Sequence, residues 1–555
     1  MSTPDRLADP LTVDPRTPVL VGVGAAQHRA AAGDDPSEGP EPAELMCRAA
    51  RAALADTALT DAGRGRLAAT IVSVAVPVGT WSYADPARLV ADDLGAAAAS
   101  TIRVEIGVPQ HTPVRVAAER ILAGELDAAV VVGGEAKATQ QRVVRAGGTP
   151  NEVDQGDVVA DEVWTPQGEF MAPAEVEAGW WEPVDQYACI EQALGHAEGR
   201  TPEQLRDEVA GLWVAMNDVA THNPDAAFGE ARSIEQLRAP GPGNRPLALP
   251  YAKWHSTQWA VDQAGAMLLC SAGLAVELGI EPGRWLFPHV LLESSFARSL
   301  SRRAELHRWP AMRVLGDAAA AHLGQPLAEV RHTEVYSCFP SAVRVQQREL
   351  ALALDVAPTV TGGMAFAGGP FNNFTYQATA AVAARLREDP GSLGMVTTVS
   401  GLLTKPALAV WSTRPPGDGT LIEDLAPAAD AATGTVDSTA HHVGEGVVAT
   451  FTVTYDGTTP ARALVLADLP DGSRWVGSRP SAVVIERPAT RRTGVTHATR
   501  GWPSTSTVQH PHWPCGLHPS LAEVRPRSSR RTSSSDPVAG TSTCCPSTSS
   551  CTVGG

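Results

Sequence analysis

The sequence is short of paired cysteines. It has 8 in 555 residues, and Cys47, Cys189, Cys270 and Cys338 stand singly through the main body of the chain, with no C-x-x-C pair among them. That scatter excludes a disulfide framework and a zinc site built on such pairs. Positive charge is also scarce. A formal net charge of −17 leaves no average basic surface to displace counterions from phosphates, so nucleic acid is not an expected partner. No apolar run reaches membrane-spanning length; Ala264 to Val276 comes nearest and is too short. The opening MSTPDRLADPLTVDP carries acids and prolines where a signal peptide needs a basic start and an apolar centre. The expectation is a cytoplasmic protein that engages neither membrane nor nucleic acid. Past about Glu486 the hydrophobic pattern gives way to Arg, Ser, Thr and Pro, with Cys515, Cys544, Cys545 and Cys551 crowded together. Such a segment cannot bury enough apolar area to offset its ordering entropy, so 491–555 is expected to be disordered. The change is abrupt enough to suggest a shifted reading frame, which resequencing tests.

What is present begins with length, which suggests roughly two to four domains. The stretch Thr361 to Gln377, TGGMAFAGGPFNNFTYQ, has four glycines, a proline and two adjacent asparagines between a strand-like run (Val356 to Val360) and a helical one (Ala378 to Arg387). Glycine lets a ligand approach the backbone, and each Asn adds an amide. Such a loop before a helix N-terminus suits an anion or a carbonyl oxygen. It reads equally well as a tight turn feeding a helix.

The first third alternates strand and helix. Pro18 to Gly24 and Ile71 to Val78 read as strands, Pro42 opens a helix, and Arg115 to Leu126 reads as a helix before the strand Asp127 to Glu135. Short joints between such elements imply parallel pairing in a sheet covered on both faces. Gly22 and Gly24 resemble the start of a dinucleotide fingerprint, but Gln27 stands where its third glycine belongs, so a nicotinamide cofactor ranks last. From about Gln140 to Pro250 the text suits an inserted, mostly helical subdomain forming one wall of a cleft. Val261 to Gly279 reads as a buried helix. A second α/β unit follows: a strand at Thr333 to Ser337, helices at Ala342 to Leu354 and Ala378 to Arg387, and a strand at Gly394 to Ser400. Its element order parallels the first unit. After Pro415, Asp456-Gly457 and Asp471-Gly472 break alternating runs as hairpins would.

Six stretches in order resemble the thiolase superfamily, nearest the actinobacterial thiolase-like proteins close to sterol-carrier-type thiolases. They are PVLVGVGAAQ at the start, GELDAAVVVGGEA from Gly124, VDQAGAMLLCSAGLA from Val261, EVYSCFPSAV from Glu334, TGGMAFAGGPFNN from Thr361, and the strand-turn Thr397 to Lys405. The resemblance implies an α/β thiolase fold, two similar βαβαβαββ halves in five αβαβα layers. On this chain the halves would be 15–139 with 251–284, and 285–415. The region 140–250 would be the loop subdomain that holds coenzyme A, 416–490 a small β-barrel-like domain, and 491–555 the tail. An acetyl-CoA acetyltransferase type of acyl transfer, set in lipid metabolism, is implied, with coenzyme A or acyl-CoA as substrate, no tightly bound cofactor and no metal. A monomer or a dimer fits.

The family's catalytic pattern is incomplete here. Gly107-Val108-Pro109-Gln110-His111-Thr112 has no cysteine where the nucleophile belongs, Gly368-Gly369-Pro370 replaces Gly-His-Pro, and Thr398-Val399-Ser400-Gly401 lacks the proton-moving cysteine. Tyr336-Ser337-Cys338-Phe339 keeps the cysteine of the His-Asp-Cys-Phe loop. The resemblance therefore assigns catalysis to Cys338, Asn372 and Asn373, with the thiol facing Asn372 or Asn373. Tyr336, Gly368, Gly369, Pro370 and His111 are assigned to substrate. A thiolate is a good nucleophile and fixed donors favour an oxyanion. The competing reading makes Cys338 a buried structural cysteine. Alternatives for the whole chain are a non-catalytic acyl-CoA-binding or partner protein and a thiolase-fold aldolase.

Overall fold

In the computed structural model, residues 13–480 are described, apart from 32 and 36. The segment 491–555, with its four cysteines, lies outside the described residues. In chain order the strands are β1 (Pro18–His28), β2 (Ile71–Pro77), β3 (Ser100–Val104), β4 (Ala128–Ala136), β5 (Glu162–Trp164), β6 (Pro246–Ala248), β7 (Tyr251–Ala252), β8 (Asp262–Ser271) and β9 (Phe287–Glu293). They continue with β10 (His332–Glu334), β11 (Leu393–Ser400), β12 (Lys405–Ser412), β13 (Leu421–Asp424), β14 (Ser438–Thr439), β15 (Val447–Asp456), β16 (Thr459–Asp468) and β17 (Arg474–Pro480). The sheet orders are β1-β8-β4-β2-β3-β5, β10-β11-β12-β9-β13 and β14-β17-β16-β15-β6-β7.

The first two sheets repeat one pattern. β1 pairs antiparallel with β8, β8 antiparallel with β4, and β4 parallel with β2. β9 pairs antiparallel with β12, β12 antiparallel with β11, and β11 parallel with β10. The parallel element order read from the sequence is thus a repeat of pairing order and sense. Helix Pro42–Asp56 covers the outer face of the first sheet, and Pro310–Leu323 covers the second. Helices Thr112–Leu122 and Phe374–Glu388 lie between the sheets, the first against β4, β8 and β9, the second against β1, β8, β10 and β11. The result is the five-layer α/β thiolase fold. Strands β4 and β8 are buried at every position, as a doubly covered sheet requires.

The glycines of PVLVGVG serve this layering, not a nucleotide. A Cβ on Gly22 would lie 2.0 Å from the Ala53 carbonyl oxygen, and one on Gly24 2.0 Å from that of Ala49. The helix rests directly on the strand backbone. Two expectations need correction. The helix read over Val261 to Gly279 is strand β8 followed by a short helix, Ala272–Leu278. A strand buried on both faces shows no alternation, so its apolar run cannot be told from a helix by period. Val356 to Val360 forms no strand; the Val360 N–H donates instead to the Glu334 carboxylate at 2.8 Å.

The third sheet ties distant segments together. Its turns fall at Gly457 (φ +59°) and Gly472 (φ +86°), where glycine accepts a left-handed backbone at no steric cost. β15 also bonds β6, within 140–250, at Thr454 and Ala248. β13, within 416–490, pairs parallel with β9 and widens the second sheet.

The helix contact yields a test. Gly24→Ala is expected to destabilise the fold by about 1–3 kcal/mol or more through overpacking. Chemical denaturation measures this; an unchanged midpoint would show that the helix is free to move off the strand.

Candidate functional site

The repeat sets two helix starts face to face. His111 occupies the N-cap position of Thr112–Leu122 and Asn373 that of Phe374–Glu388, and neither side chain caps its helix. The two loops are cross-bonded. Gln110 Oε1 accepts from the Thr375 hydroxyl at 2.7 Å and from the Thr375 N–H at 3.3 Å, while Gln110 Nε2 donates to the Tyr336 hydroxyl at 3.3 Å. His111 Nδ1 lies 2.8 Å from Thr398 Oγ1, which is 3.2 Å from Thr375 Oγ1. His111 Nε2 is buried and has no hydrogen-bond partner among the described residues. Burial pushes this imidazole down to about 4, so it is neutral at physiological pH.

Cys338 precedes helix Pro340–Glu349 and is half-buried. Burial pushes its thiol up to about 12, against a hydrogen bond from the Tyr187 hydroxyl. The Tyr187 ring stacks on Phe339 at 4.6 Å, and its carbonyl accepts from the Ser341 hydroxyl at 2.9 Å. Tyr187 rides on helix Pro183–Ala197, which β15 backs: Thr450 Oγ1 donates to the Cys189 carbonyl at 2.6 Å. The third sheet therefore fixes the side chain that contacts the thiol.

The glycine loop is fastened to the strand end before Cys338. The Glu334 carboxylate accepts from the hydroxyls of Thr359 and Thr361 and the N–H groups of Val360 and Thr361, all between 2.8 and 3.0 Å. Burial raises this carboxyl to about 7, against those donors. Ser337 Oγ accepts from the Met364 N–H at 2.9 Å. Gly368, at φ +97°, sits where a Cβ would be 2.5 Å from Gln263 Oε1, and a Cβ on Gly369 would be 2.3 Å from the Thr257 methyl. The Pro370 carbonyl accepts from the Asn373 N–H at 3.0 Å. Gly368 and Gly369 thus lie close against strand β8 and the segment before it, and Pro370 closes a turn within its own loop. Thr257 also donates its N–H to the Cys338 carbonyl at 2.9 Å, so it wedges between Cys338 and Gly369.

Asn372 donates to the Val78 carbonyl at 3.2 Å, and Tyr187 is the side chain that acts on the Cys338 thiol. Asn373 is buried, and its Oδ1 has no partner among the described residues. Tyr336 joins the two clusters: its ring meets Phe374 edge-on at 6.1 Å and its hydroxyl takes the Gln110 amide.

Beside Thr398 the turn Gly401-Leu402-Leu403 runs left-handed at φ +59°, +61° and +58°. A left-handed leucine costs about 1–2 kcal/mol. Arg303 holds the turn through the Leu402 carbonyl at 2.8 Å. Lys405, fully buried, donates to the Gly107 carbonyl at 3.0 Å, and burial pushes its amine down to about 8. It thereby anchors the loop that carries Gln110 and His111.

A groove of about 470 Å³ is lined in part by Arg232, Gln236, Asn244, Lys253 and Trp254. The Arg232 guanidinium lies 3.6 Å from the Trp254 ring centroid and the Lys253 ammonium 4.9 Å. Tyr187, Gln110, Thr375 and this groove were missed by sequence reasoning. Gln110 stood in the loop singled out for lacking a nucleophile, and its amide was a legible clue. Tyr187 reaches Cys338 only through the fold.

No family model and no curated protein matches this chain. Solved structures do. A monomeric SCP2-thiolase-like protein type 1 from Mycobacterium smegmatis is 27% identical with TM-score 0.70, over 84% of this chain and 92% of that one. An Ltp2–ChsH2(DUF35) aldolase is 18% identical with TM-score 0.52, over 72% and 99%. An acetyl-CoA acetyltransferase from Syntrophomonas wolfei is 15% identical with TM-score 0.49, over 72% and 99%, too distant in shape to bear on the site.

The His111 environment carries a pH signature. Its folded value lies below the ordinary 6.5, so between about 6.5 and 4 the unfolded chain binds a proton that the folded chain refuses. Stability is therefore lost as pH falls through that window. His111→Gln should flatten this slope by up to about 1.4 kcal/mol per pH unit. Denaturation at pH 6.5 and 5 measures it; equal slopes would mean that His111 is protonated in the fold.

Proposed function

On the premise that this chain is a relative of the thiolase superfamily and has the thiolase fold, we propose that it takes an acyl-CoA thioester into the cleft beside Cys338 and transfers acyl groups only slowly. The observation that carries this is the Cys338 thiol. Raised to about 12, it leaves on the order of one thiolate in 100,000 at pH 7, and the thiolate is the nucleophile. Its polar neighbour Tyr187 is a phenol that burial keeps neutral, so it supplies no base. The acetyl-CoA acetyltransferase reading thus survives as a weak activity. A second reading, an acyl-CoA binder without chemistry, is favoured by the same thiol.

The groove supports coenzyme A as the carrier. Arg232, in the region 140–250 that the family resemblance assigns to that ligand, and Lys253 just beyond it offer cationic donors for a nucleotide's phosphates. Calorimetry with coenzyme A and with acetoacetyl-CoA tests the reading: both should bind, and Arg232→Ala should weaken them about 10-fold. No heat with either overturns it. Intact mass after incubation with acetyl-CoA then separates the two forms. A slow adduct abolished by Cys338→Ser supports acyl transfer, binding with no adduct supports the binder, and an adduct that survives the substitution puts the nucleophile elsewhere.

A further inference from the structure

Arg303 is a cation of the interior with one donor left over. It is more than nine-tenths buried, and burial pushes its guanidinium down to about 10, so it stays charged at physiological pH. Its Nε donates to the Arg298 carbonyl at 3.0 Å and its Nη2 to the Leu402 carbonyl at 2.8 Å. Nη1 is buried and has no hydrogen-bond partner among the described residues. Neutral peptide dipoles therefore hold the guanidinium in place, and no carboxylate does. Buried charges are otherwise paired, because a charged donor without a partner forfeits its hydration and gains nothing in return.

Two ionisable groups act on this charge through space, Glu175 first and Tyr187 second. Glu175 is engaged elsewhere: its two oxygens accept from the Ser301 N–H at 2.6 Å and the Ala172 N–H at 3.0 Å. Tyr187 is the phenol that bonds the Cys338 thiol, so one side chain meets the thiol and lies within the field of Arg303. Gln186, the residue before it on the same helix, is buried, and both ends of its amide lack a partner among the described residues. The surroundings are otherwise apolar. Tyr187, Phe339 and Leu300 belong to one hydrophobic cluster, against which Cys338 and Leu402 pack.

We propose that Arg303 Nη1 receives the far-end carboxylate of an acyl chain whose thioester lies at Cys338, so that the preferred ligands are coenzyme A thioesters of dicarboxylic acids. This rests on the acyl-CoA reading above. The methylenes of such a chain suit the apolar side chains between thiol and guanidinium, and the carboxylate supplies the counter-ion that the chain itself does not. A planar N–H donor next to a fixed cation fits a carboxylate oxygen in direction as well as in charge.

The test is calorimetry on the full chain with succinyl-, glutaryl- and adipyl-CoA, each against the straight-chain acyl-CoA of equal carbon number. At one of these lengths the carboxylate should bind at least about 10-fold more tightly than its uncharged match. Non-specific attraction does not give that result, since a chain of net charge −17 repels the added negative charge. Arg303→Gln should bring the two affinities within about 3-fold of each other. Where that variant fails to fold without its hold on the Leu402 carbonyl, Arg303→Lys, which keeps the charge and loses the fork, should lower the ratio. An unchanged ratio in either variant overturns the assignment to Arg303. Equal affinities at every length in the wild-type chain overturn the carboxylate proposal, leave Nη1 to a buried water and spare the acyl-CoA reading. Absence of binding by every thioester overturns that reading itself.

Discussion

Two sheets share a single layer of helices, and the two helices of that layer, Thr112–Leu122 and Phe374–Glu388, begin at the same place. Each start leaves N–H groups without intrahelical acceptors and carries the positive end of its peptide dipoles. Two such ends meeting in a buried interior would repel unless something between them accepts hydrogen bonds. Gln110 does so, with its amide oxygen taking the N–H and the hydroxyl of Thr375 and its backbone carbonyl taking the Tyr376 hydroxyl at 2.8 Å. Both halves of the repeat are locked through that residue, so the position of His111, Tyr336 and Thr398 follows from the layering and not from the loops alone.

Around this junction the loops are held by acceptors of the same kind. Glu334 gathers the start of the glycine loop, the threonine hydroxyls take the N–H groups of Gly362 and Gly363, and Ser337 Oγ takes that of Met364. The glycines then let neighbouring side chains lie directly on backbone, which is why Gly368 meets Gln263 of β8 and Gly369 meets Thr257 just before it. The loop behaves as a packed wall. Its amides are consumed or buried, and the polar face it borders is supplied by Gln110, Tyr336 and His111.

Much of the architecture was legible because it rests on local pattern: apolar runs ending in glycine, a proline opening a helix, and Asp-Gly turns in the third sheet. β8 was not, since a strand covered on both sides has a helix's composition and no period. The cleft was legible as a neighbourhood and not as a set of contacts. Cys338 and the asparagines stand 34 and 35 positions apart in the chain, and sequence motifs gave no way to see that Asn372 turns to Val78 or that Tyr187, 151 positions upstream, turns to the thiol. Hydrogen-bond direction is a property of several segments at once. No single motif contains it.

The charges of the site decide what it can stabilise. His111 is neutral because burial holds it near 4, Cys338 is neutral because burial holds it near 12, and Tyr336 is neutral for the same cause. Lys405, pushed down to about 8 yet still mostly protonated at pH 7, is the cation that anchors the Gly107 loop, and the two helix ends add partial positive charge. The buried Glu293 carboxylate, paired with Arg115, accepts from the Thr112 hydroxyl at 2.8 Å at the same helix start, and Asp424 acts on Lys405, so part of this positive potential is already offset. A negative charge arising on a bound carbonyl would meet what the helix ends and Lys405 leave over in a low-dielectric interior. The strained Leu402-Leu403 turn fits this account. It joins the end of β11, which carries Thr398, to Lys405 at the start of β12, and so ties the hydroxyl beside His111 to the lysine that anchors the same loop.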